Sequence, residues 1–387
     1  MYPKLKLSKK GAYLFLKGGL WIPRDCILEF SKAKAELEPG SLVKILSPES
    51  HFLGIGYFNP EVYYCLKVLT KEDVLIDKKF FVERFKRCLE LRKEFYKERV
   101  FRLVFAEGDY LPGLIVDVFE SVVVIQSHTK GIENLLRVII EAIEKVLNPN
   151  AVVLKNDHSK RSEEGLKSYV RVVKGEVKDP LCIEIDEIKF LIPILSGQKT
   201  GFFLDQRENR RFVARFSKDK VVIDAFCYTG GFGFYALKAG AKRVFFLDRS
   251  SFALELVEEG LKLNRFSGGI VVEGDVFNNL RQFTRSDLVV VDPPAFIKTK
   301  KAFKEGIKKY KRLYQIATSV VEKGCVLGCS CSSFLSLETL KDIVSTSALS
   351  QGKNVSVIYQ FKHPPDHPIN TWVPETEYLK AVMVYLF

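Results

Sequence analysis

Four short apolar runs between residues 221 and 292 each lead into an aspartate: Val221-Val222-Ile223-Asp224, Val244-Phe245-Phe246-Leu247-Asp248, Val271-Val272-Glu273-Gly274-Asp275 and Leu288-Val289-Val290-Val291-Asp292. Continuous apolar runs of this length read as strands buried on both faces. Helical stretches such as Phe252–Asn264 separate them. Alternating buried strands and helices give an open, mostly parallel α/β sheet, and such sheets bind ligands outside the carboxyl ends of their strands. The four acids therefore fall on one edge.

The stretch Asp224-Ala225-Phe226-Cys227-Tyr228-Thr229-Gly230-Gly231-Phe232 leaves the first of these strands and opens a helix. Asp248 follows about 20 residues beyond the glycines, where a nucleotide-binding βαβ unit places the acid that grips ribose hydroxyls. Gly231-Phe232-Gly233-Phe234-Tyr235-Ala236 can be forced into a G-x-G-x-x-A dinucleotide pattern. A carboxylate at the strand tip opposes that reading, because a pyrophosphate wants backbone N–H donors and no anion nearby. S-adenosylmethionine (SAM) carries an ammonium and a sulfonium instead, and both welcome an acid. Asp275 would then contact the adenine edge. The pattern resembles the class I SAM-dependent methyltransferase domain from about Asp205 to the C-terminus. That resemblance implies a Rossmann-like fold with cofactor contacts from Asp224, Phe226, Tyr228, Thr229, Gly230, Asp248, Arg249, Ser250, Asp275 and Asp292.

Cys325, Cys329 and Cys331 fall within seven residues. A zinc site needs a second Cys or His cluster, and none is present, so no metal is expected. Cys325, Cys26, Cys65, Cys88 and Cys182 read as ordinary buried thiols. Cys331 differs because it ends a strand on the same sheet edge as Asp292. Asp292-Pro293-Pro294 together with Cys331-Ser332 resembles the cytosine-C5 methyltransferases of RNA, which add a thiolate to C6 to make C5 nucleophilic. The resemblance implies Cys331 as nucleophile and Asp292 as the group at cytosine N3. Pro294 stands where many of those enzymes carry a second cysteine. The base that removes the C5 proton is therefore open between Cys329 and an ordered water.

Three further blocks narrow the resemblance. Gly197-Gln198-Lys199-Thr200-Gly201-Phe202-Phe203-Leu204-Asp205-Gln206-Arg207-Glu208-Asn209-Arg210, Glu107–Asp117 and Asp366-His367-Pro368 with Tyr378-Leu379-Lys380 are similar to motifs of the RlmI-like family of large-subunit rRNA methyltransferases. The first block reads as a lid strand and helix, with Phe202 and Phe203 able to stack on a ring. Asp205 serves as a candidate N-cap, and Arg207 and Arg210 share a helix face. Gln206 and Arg207 are expected to reach the cofactor or Asp292.

A net charge of +13 over 387 residues fits a polyanion-binding protein. Lys298, Lys300, Lys301, Lys304, Lys308, Lys309, Lys311 and Arg312 cluster after Asp292-Pro293-Pro294, interleaved with Phe296, Phe303 and Tyr310. Charges and rings beside a strand end suit phosphate clamping and base stacking, and Tyr310 is counted with the lysines and Arg312 as RNA-binding. Length implies two or three domains. The reading is 1–72, a small β-barrel that resembles a PUA domain through Glu38–Val43 and Gly54–Asn59; 73–189, a central α+β domain; and 190–387, the methyltransferase domain. Strands are expected at Tyr13–Leu16, Ser41–Leu46 and Tyr63–Leu69 in the first domain. In the second they are expected near Leu103–Phe105, Gly113–Val118 and Val122–Gln126, with helices at Phe80–Tyr96 and Ile132–Val146. No membrane span or disulfide framework is expected, which points to a cytoplasmic protein with reduced thiols. The oligomeric state stays open, a homodimer included. Two rivals remain open. An exocyclic-amino or other base methyltransferase would need no covalent thiol, although Ala295 separates the Pro-Pro pair from Phe296 where such enzymes place the aromatic at once. A SAM-sensing RNA-binding assembly protein would need no catalysis.

Overall fold

The computed structural model describes residues 2–387, which fold as two compact units. Among the described residues the first comprises 2–179, Pro193–Phe202 and Pro365–Thr376, and the second Pro180–Ile192, Phe203–Pro364 and Glu377–Phe387.

In the first unit, Lys4–Lys6, Ser41–Leu46, Phe52–Phe58, Leu66–Thr70 and Trp21–Ile22 form a five-stranded sheet in that spatial order. The run Tyr13–Leu16, expected as a strand, is instead the second half of a helix, Lys9–Leu16. Four apolar residues carry no period of their own. The deciding signal is Ser8, whose hydroxyl accepts from Gly11 N at 3.2 Å and caps the helix. Ala12 and Phe15, three apart, are then buried, while Tyr13 and Leu16 face solvent. The strand expected from Tyr63 begins only at Leu66.

The second sheet of this unit runs Tyr169–Lys174, Ala151–Asn156, Val122–Ser127, Leu114–Phe119 and Val100–Phe105. Helices Lys78–Phe95 and Lys130–Leu147 pack on each other and against it. Ile55, Tyr57 and Leu69 from the first sheet share one core with Phe81, Phe85, Ile132 and Ile139, so packing is continuous across residue 72. Asp366 is a structural anchor here. Its carboxylate accepts from Arg102 N at 3.0 Å and Tyr96 OH at 3.4 Å, and lies 2.8 Å from His367 Nδ1.

The second unit holds a hairpin, Leu181–Ile185 with Ile188–Ile192, and a seven-stranded sheet. Its strands are β1 (Val221–Ala225), β2 (Arg243–Asp248), β3 (Gly269–Glu273), β4 (Ser286–Val291), β5 (Val321–Ser330), β6 (Val355–Phe361) and β7 (Lys380–Leu386). The spatial order is 3-2-1-4-5-7-6. Strands β1 to β5 are mutually parallel and β7 runs antiparallel to both neighbours. Helices α1 (Arg207–Ala214), α2 (Gly231–Lys238), α3 (Ser251–Leu263), α4 (Phe303–Ser319) and α5 (Leu337–Leu349) flank it. Ile223, Val289 and Val326 bury one side of the sheet against Leu313 and Tyr314 of α4 and Leu340 and Ile343 of α5. A second apolar contact joins Phe190 of the hairpin, Phe234 of α2 and Phe246 of β2. Cys182 is exposed. Ile183 and Ile185 face inward, so period-two alternation turns Cys182 outward, which corrects its expected burial.

Among the described residues no helix is long and apolar enough to cross a membrane, and no three His, Cys, Asp or Glu side chains form a metal-holding group.

The joint between β1 and α2 depends on the absence of a side chain at Gly233. A Cβ there would lie 2.1 Å from the ring of Phe246, which is fully buried. Gly233→Ala should therefore destabilise the protein by about 3 kcal/mol, measured by urea unfolding. A loss under ~0.5 kcal/mol would mean that the β2 ring yields more easily than a packed core allows.

Candidate active site

Parallel strands deliver their carboxyl ends to a single edge, and there the acids collect. Asp224, the penultimate residue of β1, is 1% exposed. Its Oδ2 accepts from Gly233 N at 2.8 Å, while Oδ1 has no hydrogen-bond partner among the described residues. Burial foremost, opposed by the Gly233 N–H, and then the nearby Asp292, push this carboxyl up to about 7. Phe226 and Tyr228 both adopt left-handed backbone (φ 64° and 48°), as does Gly230 (φ 79°). The loop thereby folds toward β2, where Tyr228 N donates to Asp248 Oδ2 at 3.0 Å and Ser250 N to Oδ1 at 3.0 Å. Thr229 is buried, and Arg249 is exposed. Ser250 caps α3 through Ala253 N. Asp275, exposed beyond the end of β3, caps the short helix Val276–Asn279 through Asn278 N at 3.1 Å.

The segment before α1 is built of turns rather than the expected strand, and Gln206, not Asp205, is the N-cap residue of α1. Asp205 is occupied elsewhere: its Oδ2 accepts from Tyr378 OH at 2.5 Å. Gln206 Oε1 accepts from Asn209 Nδ2 at 2.6 Å, and its side chain favours the ionised form of the Cys329 thiol. Phe203 meets Tyr228 edge-on at 5.3 Å. Arg207, buried in α1, acts on Asp186 and Tyr235. The charge of Arg210, one turn on, acts on Tyr235, Asp205, Asp292 and Asp224. Arg210 is absent from the expected cofactor set, although its shared helix face with Arg207 was the available signal.

Asp292 follows β4 directly, and its N–H donates to Ala225 O at 3.3 Å. On β5, Cys329 is fully buried and its thiol is driven well above the usual range by that burial, then by the nearby Asp292. Cys331 lies one residue past the strand and is partly exposed. Its two neighbours are clamped: Tyr310 OH lies 2.8 Å from Ser330 Oγ and 3.0 Å from Ser332 Oγ, and Ile297 N donates to Ser332 Oγ at 3.2 Å. Tyr310 is therefore fully buried, which corrects its expected contact with RNA. Its helical position faces the sheet, and a residue flanked by lysines in sequence need not share their surface. Lys298, Lys300, Lys301, Lys304, Lys308, Lys309, Lys311 and Arg312 are exposed. Phe303 is exposed beside them, Lys308 pairs with Glu305 at 2.8 Å, and Arg312 lies over the Phe277 ring. Lys380, also missing from the expected set, reaches Ser332 O at 3.1 Å.

A buried carboxylate oxygen without a partner, with further acids on the same edge, fits a cationic ligand and opposes a pyrophosphate. SAM meets that condition through its ammonium. The raised Asp224 carboxyl also sets a pH dependence. A group whose folded pKa (about 7) exceeds its ordinary value (3.8) contributes stability that is complete below the lower value and lost as pH rises through the upper one. Asp224→Asn should therefore leave the ligand-free melting temperature unchanged near pH 4 and raise it increasingly toward pH 8. A difference that is constant with pH would show that Asp224 ionises normally.

Residues 122–383 match the model of an S-adenosylmethionine-dependent methyltransferase family, and residues 5–71 match that of a PUA-like domain. The protein named ribosomal RNA large subunit methyltransferase I in Tolumonas auensis is 35% identical over 392 residues, covering 98% of each chain. Its namesake in Pseudoalteromonas atlantica is 32% identical over 374 residues, covering 94% of each. Among solved structures, SMU.776 complexed with SAH superposes with a TM-score of 0.82 at 19% identity, covering 99% of this chain and 100% of that one; at that identity the likeness speaks for the fold. A cofactor edge fit for SAM, a sheet of order 3-2-1-4-5-7-6 and full-length relatives above 30% identity agree: this chain belongs to the S-adenosylmethionine-dependent methyltransferase family that includes the proteins named ribosomal RNA large subunit methyltransferase I.

Proposed function

We propose that this protein methylates C5 of a cytosine in large-subunit ribosomal RNA. The observation that carries the reading is that Asp292 directly follows β4 and Cys331 directly follows β5, neighbouring parallel strands of one sheet, with Cys331 partly exposed and Cys329 buried. SAM supplies the electrophilic methyl group when bound. Asp224 holds its ammonium, Asp248 its ribose, and the 226–230 loop, Arg249, Ser250, Asp275, Gln206 and Arg207 complete its surroundings. The Cys331 thiolate bonds to C6, and the C5–C6 π pair moves to C5. Asp292, as its acid, donates to N3 and offsets the charge that develops in the ring. After methylation a base takes the C5 proton, the C5–C6 double bond re-forms and the C6–sulfur pair returns to Cys331.

The partition of the chain follows the same reading: residues 1–72 bind RNA, residues 73–189 orient it, and residues 190–387 carry out the transfer. The exposed lysines from Lys298 to Lys309, with Arg312, clamp phosphates beside the pocket. Reversing Lys300, Lys301, Lys308 and Lys309 to Glu should lower the slope of log affinity against log salt by about 0.7 for each phosphate no longer neutralised, with SAM affinity unchanged in calorimetry. An unchanged slope would make this a solvated face.

Chemistry is tested by trapping. Incubation with 5-fluorocytidine-substituted rRNA and SAM should yield a covalent protein–RNA adduct on denaturing gels. Cys331→Ala should lose both adduct and methyl transfer while still binding SAM, and Cys329→Ala should keep substantial activity. Full methylation by Cys331→Ala would instead favour transfer to an exocyclic amino group.

A further inference from the structure

Lys380 opens β7 opposite Ser330, the residue before Cys331. Its ammonium donates to Ser332 O, the residue after Cys331, at 3.1 Å and to Tyr378 O at 3.0 Å. A cation thus sits across from the backbone that carries the thiol. It is 5% exposed. Two carbonyl oxygens satisfy its hydrogen bonds without offsetting its charge, and a buried charge needs a counter-charge.

The groups that act on Lys380 are Glu377 and Cys331, which favour its charged form, and Lys362, which opposes it. Glu377 is already paired with Lys362. Burial, the largest influence, draws the ammonium down to about 8. On the other side of Cys331, Tyr310 and Tyr314 of α4 and Cys329 of β5 are all pushed upward by burial and stay neutral at pH 7. They add no positive charge beside the sulfur. The carboxyl of Asp292 at the end of β4 acts on Tyr314 and Cys329 of the same group, so Lys380 is the cation set against it.

We propose that Lys380 is a positioning residue whose ammonium holds Cys331 as its thiolate before the base arrives, an inference that rests on Cys331 being the nucleophile. The thiol proton leaves to solvent past the partly exposed Cys331, and Lys380 keeps its own. The pair thereby passes from one net positive charge to none. An antiparallel last strand is what makes the arrangement available, because it brings the start of β7 to the end of β5.

The test reads the sulfur directly, without RNA or methyl transfer. Full-length protein is alkylated with iodoacetamide from pH 5.5 to 10, and the Cys331 peptide is quantified by mass spectrometry. Wild type should react with a midpoint below the ordinary thiol value of about 8.5. Lys380→Met should move the midpoint up by about one unit, near a tenfold slower reaction at pH 7, and Lys380→Arg should restore it. A wild-type midpoint at or above the ordinary value overturns the proposal even if no variant folds, as does an unshifted profile in a folded Lys380→Met protein. Full methylation by Cys331→Ala would sink the covalent mechanism, while the alkylation profile decides the ion pair separately.

Discussion

A carboxylate buried at the tip of the central strand sets the terms for the rest of the second unit. Asp224 cannot sit there ionised unless something offsets its charge. The fold supplies a single backbone donor, Gly233 N, and the field of Arg210, with Asp292 and Asp248 working against both. Gly233 reaches Asp224 only because α2 begins tightly on Gly230 and packs its glycine face on Phe246. Arg210 reaches it because α1 is anchored at the hairpin, where Arg211 makes two hydrogen bonds to Asp186. Hairpin, first helix and strand order all converge on one unbalanced charge. An edge built this way is prepared for a cation, and SAM is one.

The end of β5 follows a complementary rule. Cys329 and Cys331 are two residues apart, yet their surroundings differ as interior differs from surface. One thiol is fully enclosed; the other stands beyond the last strand residue between two serines fixed by Tyr310. A reactive thiol must be both accessible and held. On the proposed reading Cys331 is that thiol, and the hydrogen bonds of Tyr310 to Ser330 and Ser332 hold the residues on either side of it.

The first unit uses buried polar groups for a different end. Arg92 and Asp109 pair at 2.6 Å and Arg102 and Asp117 at 2.7 Å, all deeply buried, and Asp366 adds its carboxylate to the same sheet. Pairs this complete are saturated. With Asp366 they join the late segment Pro365–Thr376 to strands laid down far earlier in the chain.

The sequence by itself determined the α/β character of the catalytic sheet, the edge on which its acids gather and the cationic character of the cofactor. Each follows from short-range chemistry: buried parallel strands are continuous apolar runs, and the residue that ends such a run must lie at the carboxyl edge. Ser41–Leu46, Val221–Ile223 and Leu288–Val291 were legible for that reason. What only the tertiary structure decided depends on partners distant in the chain. Tyr13–Leu16 became helical because of a cap, Tyr310 was withdrawn from the surface by Ser330 and Ser332, and the charge of Arg210 fell on Asp224. Lys380 was brought opposite Ser330, the residue before Cys331, by antiparallel pairing of β7 with β5. Periodicity states which side of an element is buried, and it does not state what it will be buried against.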